Sequence, residues 1–116
     1  MTVKDPATLA FCYLTTTGRR SGAPHRIEIW FALREGTLYL LSGDRDRSDW
    51  VRNLMASPTV VLELGGDVRA VTARVLEAGT EEDAAARRLL VEKYRSPEDD
   101  LSSWGRTSLA IAVDWT

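Results

Sequence analysis

The sequence predicts an α+β protein built on an antiparallel sheet or small barrel of about six strands, with two helices alongside. Three observations carry this reading. The strand-like stretches are joined mostly by hairpin signals, Glu35-Gly36 and Gly65-Gly66-Asp67 among them, rather than by helical crossovers. Only residues 49–56 and 80–94 carry helical periodicity. The phosphate-binding devices of parallel folds are also missing. Gly18 and Gly22 precede a strand instead of a helix, and no Gly-Lys-Ser/Thr run opens one.

Residues 8–17 are rich in aromatic and β-branched side chains and read as the first strand, which breaks at Gly18. Residues 26–34 read as one second strand. Ile27, Ile29, Phe31 and Leu33 form its apolar face, while Arg26, Glu28 and Trp30 project from the other. That second face is solvated, lies at a subunit interface or lines a site, and the tryptophan argues against simple solvation. Residues 37–42 return as a third strand. After the charged loop Gly43-Asp44-Arg45-Asp46-Arg47, Ser48 or Asp46 is placed to cap a helix over 49–56. Trp50 with Leu54 and Val51 with Met55 give that helix an apolar stripe. Arg52 and Asn53 lie off it, and Pro58 enforces the stop.

Residues 59–64 and 68–77 read as a strand pair. Thr80 with Asp83 forms a variant capping box for the longest helix, whose buried stripe is Ala86, Leu89, Leu90 and Tyr94. Residues 96–106 read as a polar loop carrying Trp104. Residues 107–115 close the chain as a strand with Leu109, Ile111, Val113 and Trp115 on one face.

The chain of 116 residues, 44% hydrophobic, suits one domain over residues 1–116 with a real core. A formal charge of -2 argues against a nucleic-acid partner. Cys12 is the only cysteine and lies in an apolar run, where a buried, inert thiol is expected. With His25 the only histidine, no metal cage is expected. Met1 to Asp5 show no signal-peptide pattern and no stretch is apolar enough for a membrane span, so a soluble, cytoplasmic protein is expected.

The stretch from Leu14 to Phe31 organises the functional reading. Arg19, Arg20 and Ser21 lie between Gly18 and Gly22, and Pro24 leads back into a strand. Fixed cations, a hydroxyl and backbone N–H groups on a tight connection suit a phosphate-bearing ligand. The same residues are also ordinary turn chemistry for a basic hairpin. No Ser-His-Asp elbow or paired-carboxylate motif is present, which points to a cofactor carrying the chemistry.

Three segments together carry a resemblance: residues 14–26 (LTTTGRRSGAPHR), 40–43 (LLSG) and 49–58 (DWVRNLMASP). They resemble the deazaflavin-dependent nitroreductase family, split β-barrel flavin and deazaflavin oxidoreductases related to pyridoxamine-phosphate-oxidase-like proteins. The resemblance implies a six-stranded antiparallel split β-barrel with two or three flanking helices, a homodimer, and coenzyme F420. It places Arg19, Arg20, Ser21 and Gly22 at the phosphate and acidic tail, and His25 and Arg26 alongside the cofactor. It sets Ser42 and Gly43 near the ring, with Asp49, Trp50, Arg52 and Asn53 closing the site.

The implied reaction is hydride transfer from the reduced deazaflavin to a small organic acceptor (an enone, quinone or nitro compound), with no side chain required as nucleophile. Nitroimidazole reduction is not implied, because the tyrosine that branch uses after the position of Tyr94 is replaced by Arg95-Ser96-Pro97. Two alternatives stay open from sequence: FMN in place of F420, and a cofactor carrier that binds without turnover.

Overall fold

A computed structural model describes residues 5–116. Of Met1 to Asp5, where no signal-peptide pattern is expected, only Asp5 lies within the described residues. Seven strands and three α-helices follow in the order β1 (Cys12–Thr17), β2 (Pro24–Ile29), β3 (Ala32–Arg34), β4 (Thr37–Ser42), α1 (Asp49–Ala56), β5 (Thr59–Leu64), β6 (Asp67–Val75), α2 (Glu81–Tyr94), α3 (Ser102–Thr107) and β7 (Leu109–Asp114). All pairings are antiparallel, in one sheet of order β2-β1-β5-β6-β7-β4-β3. No helix among the described residues is long and apolar enough to cross a membrane.

The chain forms seven strands where about six were expected, and the difference comes from one place. The stretch expected as a single second strand breaks at Trp30-Phe31, and its two halves lie at opposite edges of the sheet. A two-residue link between the first and last strand of a sheet forces the sheet to curl until its edges meet. The result is a split barrel. Phe31 turns into the curl and is fully buried, with Ile27, Ile29 and Leu33 packed on the same cluster, so the expected apolar face survives the break.

That cluster fills the curl with Leu14, Leu38, Leu40 and Leu62, capped by Val51 and Leu54 of α1. On the other side of β4 and β7, Tyr39, Leu41, Ala110 and Ala112 meet Ala86 and Leu90 of α2. β7 therefore buries both faces: Ile111, Val113 and Trp115 point into the curl while its alanines let α2 approach. Met55 departs from the expected stripe of α1. It is exposed, and Asn53 is buried in its stead.

The α2 start forms as the sequence indicates, with Thr80 Oγ1 accepting from Asp83 N at 3.2 Å. Asp83 is buried and accepts from Arg87, which also donates to Gly105 O of α3. α3 occupies the end of the stretch expected as a polar loop and takes Thr107 from the expected last strand, which begins at Leu109. The six residues of α3 contain Gly105 and are too short to show a periodic stripe. The first strand begins at Cys12, not Thr8, because Asp5 caps a 3-10 turn over Pro6–Thr8.

The last turn of α2 pins the seam between the sheet edges. Phe31 N donates to the Tyr94 hydroxyl at 3.0 Å, and that hydroxyl lies 2.9 Å from Ala10 O. Lys93 Nζ donates to Phe31 O at 3.0 Å and sits 3.6 Å from the centroid of the Phe31 ring. Trp30 stacks on Tyr94 with ring centroids 4.3 Å apart and Trp104 meets Trp30 edge-on. Replacing Tyr94 by Phe removes the partner of the Phe31 amide. Urea unfolding of Tyr94→Phe is expected to give a loss of about 1–3 kcal/mol.

A second tie joins α2 to the sheet. Arg74 makes two bonds to Glu82, at 2.7 and 2.8 Å, and the Tyr39 hydroxyl donates to Glu82 at 2.9 Å. The Arg74 bond is the main reason the Glu82 carboxyl falls from 4.5 to about 2. A depressed carboxyl stabilises the fold above its unfolded value, and this contribution disappears as pH falls from 4.5 toward about 2. The melting temperature of the protein is expected to drop more steeply across that window than that of Glu82→Gln.

Candidate functional site

The connection between β1 and β2 is a closed turn. Gly18 N donates to Ala23 O at 2.7 Å and Gly22 N to Gly18 O at 2.8 Å. Gly22 has a φ of +74°, a value that favours glycine, and Ser21 Oγ accepts from Ala23 N at 3.1 Å. Gly18 is closely approached from outside the turn. A Cβ there would lie 2.7 Å from His25 Nε2 and 3.0 Å from Ser21 Oγ. The bare Cα thus forms the floor of a small concavity walled by the His25 ring and the serine hydroxyl.

Arg19 is fixed by α1. Its backbone N–H and its Nη1 both donate to Asn53 Oδ1, at 3.2 and 2.9 Å, and Nη2 donates to Asp49 at 3.2 Å. Asn53 is 3% exposed, and its Nδ2 donates to the buried Thr16 Oγ1 at 3.2 Å. One buried amide therefore joins β1, the loop and α1. Arg20 is different. It is exposed, and neither its guanidinium nor the backbone N–H groups of Arg20 and Ser21 are engaged among the described residues.

Gly18, Arg19, Arg20, Ser21, His25, Asp49 and Asn53 line one cavity of about 290 Å³. The structure thus brings six of the sequence-identified residues together, and Gly22 closes the turn beside them. Two guanidinium groups face one carboxylate, which leaves the cavity with an excess of fixed positive charge.

The other sequence-identified residues lie outside the lining of this cavity. Arg26 turns to the outer sheet face, where it bonds Glu63 at 2.9 Å and lies 4.0 Å from the Tyr13 ring centroid. Ser42 is buried and bonds Arg45 O at 2.9 Å and Ser48 Oγ at 2.8 Å, which shapes the turn after β4. Trp50 packs on the core inside the curl, and Arg52 donates to Asp46 O at 3.0 Å. Gly43 is exposed and faces the Trp104 ring, which would lie 3.6 Å from a Cβ at that position. Burial pushes the Cys12 thiol up to about 12, as expected of an inert core cysteine.

Sequence reasoning did not assemble a second cavity, of about 500 Å³, walled chiefly by Phe11, Trp30, Leu41, Leu101 and Trp104. Its signals were present separately: Trp30 on an otherwise polar face and Trp104 in a polar stretch. The two cavities lie at opposite ends of β2, whose outer edge has no strand partner. β4 beyond Tyr39 pairs only with β7. The edge of β4 at Leu40–Ser42 is thus without a ladder partner on its β3 side, like the outer edge of β2, among the described residues.

The sequence model of the F420H(2)-dependent quinone reductase family matches residues 3–116. The chain belongs to that family. Among solved structures, an F420-H2 dependent reductase is 28% identical with a TM-score of 0.73, over 90% of this chain and 93% of that one. A second, described as a domain-swapped dimer, is also 28% identical with a TM-score of 0.73, over 90% of this chain and 79% of that one. The haem storage protein HutZ of Vibrio cholerae shares the fold at 13% identity, with a TM-score of 0.75 over 92% of this chain and 82% of that one.

This F420H2-dependent family member is accordingly an oxidoreductase that uses coenzyme F420, with a split-barrel fold. That answers the carrier alternative, and the FMN alternative finds no support in the family match. The chemistry of the loop fits the cofactor: an unengaged guanidinium, two unengaged N–H groups and a glycine floor suit an anionic group. Asn53→Ala removes the acceptor for two Arg19 donors and orphans Thr16. It is expected to cost about 1–3 kcal/mol in urea unfolding and to weaken F420 binding in a fluorescence titration.

Proposed function

We propose that the Gly18–Ala23 loop holds the phosphate and acidic tail of F420 and that this cytoplasmic, single-domain enzyme reduces quinones. The observation that carries the reading is Arg20, an exposed cation with no partner among the described residues, beside an Arg19 already locked in place. Arg20 supplies a planar, bidentate donor, and the backbone N–H groups of Arg20 and Ser21 supplement it. Asp49 and Asn53 hold Arg19 so that its charge faces the cavity without reorganisation. His25 forms the wall over Gly18.

The bound cofactor, when reduced, supplies the hydride, and with a proton this converts a quinone to a hydroquinone. The protein's part is to bind, orient and exclude water, and no nucleophile is required. Among the acceptors considered, quinones are favoured by the family description, ahead of enones and nitro compounds.

We place a homodimer contact on the uncovered face of β1, β2, β5 and β6. Strand register lines up Glu28, Tyr13, Glu63 and Val68 in one row, with Glu28 at its β2 end beside the second cavity, and Arg26, Thr15, Val61 and Ala70 in the next. Val68 is 58% exposed, and the helical layer lies against β4 and β7 instead. Sedimentation should give twice the chain mass.

Tryptophan-fluorescence titration tests the cofactor site directly. Arg20→Ala is expected to raise the F420 dissociation constant by about tenfold or more, with the melting temperature unchanged. Raising salt should weaken wild-type binding more than variant binding. An unchanged dissociation constant would reduce the loop to a basic hairpin.

A further inference from the structure

The cavity at the seam has a composition unlike that of the loop cavity. Phe11 and Trp30 are 45% and 38% exposed at its mouth, and Leu101 and Trp104 form its inner wall. At about 500 Å³ it falls in the range of roughly 300–1,000 Å³ common for small-molecule sites. Its only ionisable lining side chains among the described residues are two carboxylates, Glu28 and Asp99. Both are exposed at the rim, and each is tethered by one hydrogen bond. Tyr13 Oη donates to Glu28 at 3.0 Å, and Leu101 N donates to Asp99 Oδ1 at 3.0 Å.

The wall itself is built at a conformational cost. Leu101 has a φ of +58°, a left-handed conformation that non-glycine residues rarely adopt. The Asp99 bond to its amide and the Ser96–Asp99 bridge hold the segment there. Strain of this kind persists where the surroundings over-determine it and concentrates at ligand clamps. Here it presents Leu101 and, one turn of α3 later, Trp104 to the cavity. Trp104 also faces Gly43 at the end of β4, which ties this wall to the sheet.

We infer that this seam cavity is the acceptor subsite, with Trp30 and Trp104, which meet edge-on, forming an aromatic corner for a planar ring and Glu28 and Asp99 restricting it to uncharged acceptors. The inference rests on the quinone-reductase reading above, and it adds which residues choose the acceptor and by what property. Aromatic walls take any flat apolar ring. Two fixed carboxylates at the rim repel an anionic substituent while leaving a neutral ring unaffected.

The test is calorimetric titration of the cofactor-free protein with menadione and with a sulfonated naphthoquinone, alongside steady-state kinetics of the F420H2-loaded enzyme. Menadione is expected to bind about tenfold or more tightly than the sulfonate. The double variant Glu28→Gln, Asp99→Asn keeps both hydrogen-bond acceptors and should bring the two within about threefold. Trp30→Phe, which preserves stacking on Tyr94, should raise the acceptor KM with the F420 dissociation constant unchanged.

Equal binding of the two quinones would overturn the inference. So would a Trp30→Phe variant that shifts F420 affinity and leaves the acceptor KM alone. Because the titration omits the cofactor, failure of F420 to bind the Arg20 loop would be seen separately and would leave the quinone result standing.

Discussion

Everything in this molecule depends on a two-residue link between the opposite edges of one sheet. Trp30 and Phe31 carry the chain from the first strand position to the last, and a flat sheet cannot satisfy that connection. Curling follows, and with it come an enclosed core and an incomplete edge between β2 and β4. Tyr94 and Lys93 meet the polar groups that the break in the ladder leaves bare. The backbone N–H and carbonyl of Phe31 are thus satisfied by side chains where a continuous strand would have used a neighbouring strand. The cost of breaking the ladder is offset locally, and the aromatic stack above it closes the outer side.

The loop cavity shows a complementary economy. A single buried amide, Asn53, receives two donors from Arg19 and gives one to Thr16. A buried asparagine without those partners would cost more than the helix position gains. With them it fixes the angle between α1 and the end of β1, and so the position of the Arg19 charge. Exposed ion pairs elsewhere on the sheet contribute little beside it.

Much of this was legible in the sequence. Hairpin signals, the capping box at Thr80 and the alternation in the last strand led to the right class and to most strands, because local propensity and burial agree there. The resemblance supplied the family and the loop. What could not be read came from tertiary geometry. Residues 26–34 alternate cleanly on both sides of the break, so nothing local marks the edge-to-edge crossing. Asn53 and Met55 exchange their expected environments because the partners that make a buried amide tolerable, Arg19 and Thr16, lie more than thirty positions away. The short α3 contains a glycine whose value is its close contact with Val91, a reason invisible in composition.

The two cavities draw on different parts of the chain. The loop cavity is made by the turn after β1 and the start of α1, whereas the seam cavity takes its inner wall from the 96–104 segment. That segment is anchored by its own bridge and its own capping carboxylates, with no bond to the Arg19 network among the described residues. Mutations there can therefore reshape one cavity while the other keeps its geometry. A fold partitioned in this way can diverge in what it reduces without losing what it reduces with. Variation among relatives is then expected to concentrate between α2 and β7.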